Sequence, residues 1–159
     1  MKVAIYFDTK FGNNEKVAAR LSGALIAKGH TTEVHRISDV KPKELPSADL
    51  YVFSSPTRFG KPKGSMKRFL KKAKLAPNAR YALIATHGSP QPNKKTGQMP
   101  TQEEIEKYEW TLRDMQEILA GKGTKVAEMK LHVTGDTMHG SLLEGWEKKV
   151  EEFADTITK

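Results

Sequence analysis

The 159-residue chain is 37% hydrophobic and 29% charged, carries a formal charge of +8 and has no cysteine, which excludes disulfides, thiolate nucleophiles, iron–sulfur clusters and cysteine zinc sites together. That length suits one domain with a real core, spanning 1–159, and is too short to expect two. The apolar run near the N-terminus is five residues long, shorter than a signal-peptide core, and no later stretch approaches a membrane span, so a cytoplasmic protein without membrane contact is expected.

Residues 3 to 7 (Val-Ala-Ile-Tyr-Phe) form a continuous apolar run, the pattern of a strand covered on both faces. The run breaks into Asp8-Thr9-Lys10-Phe11-Gly12-Asn13-Asn14 before a helix with the stripe Val17, Leu21, Leu25. Residues 32 to 37 alternate, as a half-exposed strand does, and the stretch 38–47, interrupted by Pro42 and Pro46, predicts a loop or a single turn in place of another helix. A third strand, 48–54, is nearly all apolar. Ser54-Ser55-Pro56-Thr57-Arg58-Phe59-Gly60 then leads to a helix with the stripe Met66, Phe69, Leu70, Ala73. The fourth strand, 81–86, is again apolar and runs into Thr86-His87-Gly88-Ser89-Pro90. One long helix is predicted through Ile105, Tyr108, Leu112, Met115 and Leu119. An alternating strand over 125–133 follows, and a final helix through Leu143, Trp146, Val150, Phe153 and Ile157.

Alternating strands and helices predict an α/β fold, three layers deep, with a doubly wound five-stranded parallel sheet. If the two half-exposed strands are edges and the three apolar ones are central, the simplest right-handed winding is 2-1-3-4-5. The winding reverses between the first and third strands, so a ligand should sit beyond their C-terminal ends. Three loops meet there: 8–14, 55–64 and 87–100.

In the first loop Thr9 offers a hydroxyl, Gly12 lets the backbone approach closely, and Asn13 or Asn14 can cap the helix and leave its free N–H groups facing an anion. It is neither Gly-x-Gly-x-x-Gly nor a P-loop. The second presents Thr57, Arg58 and Phe59, an aromatic that either stacks on a flat ring or covers the core. The third supplies small residues and the imidazole of His87, which is either a hydrogen-bonded loop residue or a proton donor. The other histidines lack metal-ligand spacing, so no metal site is expected.

These three loops resemble those of the flavodoxin-like FMN-binding family. Thr9-Lys10-Phe11-Gly12-Asn13-Asn14 is similar to that family's phosphate loop, commonly Ser/Thr-x-Thr-Gly-Asn-Thr. Ser55-Pro56-Thr57-Arg58-Phe59-Gly60 and the following Gly64–Leu70 look like the loop and helix flanking the isoalloxazine, and Thr86-His87-Gly88-Ser89 falls where a further ring-binding loop lies. The resemblance covers essentially the whole chain. It implies FMN as cofactor, bound by Thr9 to Asn14, Pro56 to Gly60 and Thr86 to Gly88, and electron transfer through it to a redox partner protein. There are departures: Phe11 and Asn14 replace hydroxyl residues, the third loop lacks a tyrosine common in short-chain members, and those carriers are usually acidic.

The alternative within that resemblance is an FMN-dependent reductase of a quinone or other small acceptor, with the segment Gln91–Thr101 as a rim and His87 as the proton donor; the sequence leaves open whether the protein is a carrier or an enzyme. A phosphoacceptor receiver domain is excluded because Ser54-Ser55-Pro56 stands where a carboxylate is needed. Residues 1–75 carry 16 Lys/Arg against 6 Asp/Glu, while 76–159 carry 11 against 13, and eight basic residues with no acid lie between Arg58 and Lys74. That basic stretch is either a solvated helix face or a docking surface. An acidic redox protein is the expected partner, because no nucleic-acid motif accompanies the charge. If Arg58 or Lys61 points inward, it would stabilise a reduced flavin.

Overall fold

The computed structural model describes residues 1–159. Its strands are β1 (Lys2–Phe7), β2 (Thr31–Arg36), β3 (Leu50–Arg58), a two-residue β4 (Lys61–Pro62), β5 (Arg80–Gly88) and β6 (Thr124–Val133). The order is β2-β1-β3-β5-β6, all parallel, with β4 folded back antiparallel on the end of β3. With β4 set aside, this is the expected 2-1-3-4-5 winding. The edge strands β2 and β6 are half-exposed, while β1, β3 and β5 are buried along most of their length.

Helices α1 (Asn13–Ala27) and α5 (Trp146–Ile157) cover one face of the sheet; α2 (Gly64–Lys72) and α4 (Thr111–Ile118) cover the other, and α3 (Gln102–Tyr108) precedes α4. The period of two along β1 divides the core. Val3, Ile5 and Phe7 pack with Val17, Leu21, Val150 and Phe153. Ala4 and Tyr6 face the other way, toward Phe53, Met66, Leu70 and Met115. Each fully buried aliphatic or aromatic side chain contributes roughly 1.5–3 kcal/mol, so both layers hold the strand ends in fixed register. Segment 38–47 forms two single turns, Ile37–Asp39 and Pro42–Glu44, where a further helix is missing.

Two helices differ from expectation. The long third helix is broken: Glu109 is extended (φ −91, ψ 90) and separates α3 from α4. Tertiary contacts outweigh local helix propensity there. The Trp110 N–H donates to the Gly60 carbonyl at 2.7 Å, and the Glu109 side chain turns toward β6. The last helix begins at Trp146, and Leu143 lies ahead of it, its N–H bonded to the His132 carbonyl at 3.0 Å. No helix is long and apolar enough to cross a membrane.

Candidate functional site

The first loop is shaped by its own backbone. Thr9 N–H donates to Asp8 Oδ1 at 2.9 Å, and Gly12 N–H donates to Thr9 Oγ1 at 2.8 Å. Gly12 is the N-cap of α1 in the left-handed region (φ 92), so the expected cap by Asn13 or Asn14 is corrected: no side chain caps this helix. Both asparagines are buried and used elsewhere. Asn14 Nδ2 donates to Ser54 Oγ (2.9 Å) and its Oδ1 accepts from Thr86 Oγ1 (2.8 Å), joining the start of α1 to the ends of β3 and β5. Asn13 Nδ2 donates to the carbonyls of Met138 (3.1 Å) and Gly140 (2.9 Å), drawing the loop after β6 over the site. The first N–H groups of α1 have no partner within the helix and carry the positive end of its dipole. Nothing stands within 4 Å of where a Cβ at Gly12 would be, so this end is open.

Asp8 ties the second loop to the first. Its carboxylate is bonded by the Ser65 hydroxyl and lies 3.4 Å from Lys63 Nζ. The loop itself is a tight hairpin. Phe59 adopts φ 52, which is strained for a non-glycine residue, and its side chain is 80% exposed beside the Arg58 guanidinium. Gly60 is needed twice over: its φ is 76, and a Cβ there would collide with the Tyr108 carbonyl oxygen. Thr57 and Thr111 hydroxyls are 2.7 Å apart, completing the clamp between the hairpin and the α3–α4 junction.

Between these loops lies a cavity in two adjoining compartments. The larger, about 630 Å³, runs from Thr9, Lys10 and Phe11 to Pro56–Phe59, closed by Tyr108 and by Asp136–His139. The smaller, about 360 Å³, continues past Phe59 and Gly60 to His87 and Gly88, with Gln91, Pro100 and Glu104 at its rim. Of the expected site residues, Thr9, Lys10, Phe11, Pro56, Thr57, Arg58 and Phe59 therefore line the first compartment, and Thr57, Phe59, Gly60, His87 and Gly88 the second. Asn14 and Thr86 brace the site from behind. Lys61 lines neither compartment, while Lys63 lines the first.

A fourth loop, 134–145, escaped the sequence reading. Thr134-Gly135-Asp136-Thr137-Met138-His139-Gly140 ends a parallel strand and so reaches the same edge of the sheet; its polar, glycine-punctuated composition was the available signal. His139 packs against Phe11 in a tilted pair with 3.7 Å between ring centroids, and Asp136 packs so closely on Gly88 that a Cβ there would collide with it. Tyr108 was read as part of a buried stripe, yet it is 67% exposed at the cavity.

Behind the smaller compartment is a titratable cluster. The Glu109 side chain is only 6% exposed, 2.9 Å from His132 Nε2 and 3.3 Å from Lys130 Nζ. Burial alone would raise the Glu109 carboxyl, but the hydrogen bond with His132, the two imidazoles and Lys130 together hold it below the usual carboxylate range. His87 is 2% exposed and its ring lies 5.6 Å from that of His132. Its Nε2 is buried without a partner. Burial pushes the His87 imidazole down to about 4, against the attraction of Glu109 and with help from His132 and Lys130.

A family model described as Flavodoxin matches residues 5–153. No curated protein matches the chain in sequence. Among solved structures, the chain is similar to the flavodoxin of Streptococcus pneumoniae TIGR4 (17% identity, TM-score 0.67, covering 99% of this chain and 98% of that one). It is also similar to oxidised flavodoxin 1 of Bacillus cereus (15%, TM-score 0.67, 99% and 97%). A short-chain flavodoxin associated with a bacterial microcompartment aligns at 16% identity with a TM-score of 0.70 over 99% and 97% of the two chains.

Proposed function

This chain belongs to the flavodoxin family, proteins that bind FMN and transfer electrons to redox partner proteins, and on that premise we propose which of its residues hold the cofactor and which meet the partner. FMN supplies the redox chemistry at its isoalloxazine. The phosphate is assigned to the start of α1, where free N–H groups, the Thr9 hydroxyl and the helix dipole all favour an anion, and Lys10 adds a positive charge. The ring is assigned to the hairpin end, against Phe59. Arg58 is the free cation of that wall, Lys63 being paired with Asp8, and a nearby positive charge lowers the energy of a reduced, anionic ring.

The observation that carries this assignment is the compartment of about 630 Å³ that joins the helix start to Phe59, lined at one end by Thr9–Phe11 and at the other by Pro56–Phe59. It has one anion cradle and no second glycine-rich turn for a dinucleotide. Flavin-free protein titrated with FMN should quench flavin fluorescence at one equivalent, and FAD should bind much less well. Equal binding of the two would reject the single-cradle assignment.

The partner is assigned to the basic face. Of the eight Lys/Arg from Arg58 to Lys74, only Lys63 is in an ion pair, so the remaining charge is available to steer an acidic redox protein to the ring. Reversing Lys67, Lys71 and Lys72 to glutamate should slow electron exchange at low salt and leave FMN bound. A rate indifferent to both salt and the reversals would favour the second reading, direct FMN-dependent reduction of a quinone, for which the rim at Gln91 and Pro100 leaves room. Steady NAD(P)H oxidation with a quinone and no separate reductase would establish that reading.

A further inference from the structure

The His87 imidazole is a buried polar group without a hydrogen-bond partner that also lines the cavity. It is 2% exposed, its Nε2 is buried without a partner, and no hydrogen bond holds the ring, although it lines the smaller compartment. Buried polar groups in folded proteins are nearly always paired, and an exception needs a reason. Nor is the ring isolated from charge. From β6 it faces His132 and Lys130, from the α3–α4 junction Glu109, and across the compartment Asp136 and Glu104. Glu109 sits at the break between α3 and α4, with its carboxylate 2.9 Å from His132 Nε2. The cluster is a buried carboxylate, an imidazole bonded to it, and a second imidazole tilted against the first at 5.6 Å with an unpartnered nitrogen.

We propose that His87 is a proton site coupled to the redox state of the flavin: when the ring is reduced, His87 takes up a proton on Nε2, and Glu109, linked through His132, balances the charge. This rests on the isoalloxazine lying at the Phe59 end of the cavity, beside the compartment that His87 lines. The balance is simple. Two electrons arrive from the redox partner protein, the ring takes one proton to become the anionic reduced form, and a second proton passes from solvent to Nε2, with no bond broken in the protein. His132, whose side chain is 27% exposed, links the buried carboxylate to solvent. A negative charge within a few Å of a titrating group raises its proton affinity by roughly one to three orders of magnitude. Such a change moves His87 from neutral beside the oxidised ring toward its protonated form beside the reduced one. Arg58 faces the same charge from the other wall, so His87 is a positioning and proton-storing group and not the sole counter-charge.

The test uses the full chain loaded with FMN and labelled with 15N-histidine. Imidazole shifts are followed against pH before and after anaerobic reduction with dithionite, and the two-electron midpoint potential is measured over the same range. In the expected result His87 is neutral when oxidised and its proton affinity rises by at least about tenfold on reduction. The potential should then fall by about 30 mV per pH unit more than in His87→Phe or His87→Asn, the cost of one extra proton per two electrons. Glu109→Gln should lower the His87 titration midpoint in the reduced state. The nitrogen shifts of the wild type decide the matter even if a His87 variant folds poorly. Flavin-loaded protein in which His87 keeps the same protonation in both redox states overturns the proton coupling alone; protein that takes up no FMN overturns this inference and the cofactor assignment together.

Discussion

At the phosphate end of the cavity one contiguous segment, Thr9–Asn14, supplies nearly everything through its backbone, and its asparagines are locked in buried hydrogen bonds to Ser54, Thr86, Met138 and Gly140. At the ring end the wall is assembled from the β3–β4 hairpin, the end of β5, the α3–α4 junction and the loop after β6, and its aromatic groups Phe59 and Tyr108 are 80% and 67% exposed. The first end is rigid and independent of which ligand arrives. The second has side chains free to meet one, and a buried imidazole, His87, stands behind them. On the proposed assignment, backbone and buried amides fix where the anion sits, while exposed aromatics and a strained hairpin are left to adapt to the flat ring.

The comparison breaks most visibly if the rigid end is loosened. Asn14→Leu leaves Ser54 Oγ and Thr86 Oγ1 without their partner in the core, and unpaired buried groups cost about 1–3 kcal/mol each. Urea denaturation of the flavin-free protein should register a loss of roughly 2–5 kcal/mol; a loss under about 1 kcal/mol would mean that the network is dispensable.

Acid sharpens the contrast at the other end. The folded His87 value, about 4, lies below its ordinary 6.5, so the unfolded chain binds more protons between the two. Stability from this group is therefore complete above about pH 6.5 and is lost as pH falls toward 4, by on the order of 3 kcal/mol. Glu109, whose carboxyl is held low, is lost in the same direction at more acid pH. The drop between pH 6.5 and 4.5 should be largely absent in His87→Phe. A drop of equal size in that variant would assign acid lability to the carboxylates only.

The smallest effect on the fold, and a clear one on the ligand, belongs to Phe59→Ala. With the side chain exposed and the backbone at φ 52, stability should change by less than about 0.5 kcal/mol. Flavin fluorescence should rise and FMN affinity fall by about tenfold, or about 1.4 kcal/mol. Unchanged fluorescence and affinity would place the ring away from the hairpin.

The same difference decides what could be read from sequence. The sheet order followed from burial on one or two faces, which the apolar runs of β1, β3 and β5 and the alternation of β2 and β6 display directly. The loop 8–14 and the helix start after it are legible because they form one short segment between a buried strand and an amphipathic helix. Asn13 and Asn14 were misassigned as caps because the acceptors and donors that claim them, Ser54, Thr86 and the carbonyls of Met138 and Gly140, are remote in sequence. Tyr108, Glu109 and the break between α3 and α4 were hidden for a related reason. Local periodicity favours one helix from Ile105 to Leu119, and only the hairpin carbonyl of Gly60 and the cations of β6 interrupt it. The loop 134–145 was visible as a polar stretch, and topology alone should have brought it to the site.

The phosphate assignment is tested most directly by comparing FMN with riboflavin, which has the same ring and no phosphate, in the wild type and in Gly12→Val. Valine at φ 92 is strained, and its side chain enters the open space before the first N–H groups of α1. Wild-type protein should bind FMN far more tightly than riboflavin, and Gly12→Val should weaken FMN by at least about tenfold while leaving riboflavin nearly unaffected, with urea denaturation confirming that the variant is folded. If the folded variant binds FMN as the wild type does, or loses FMN and riboflavin equally, the phosphate does not sit at the start of α1.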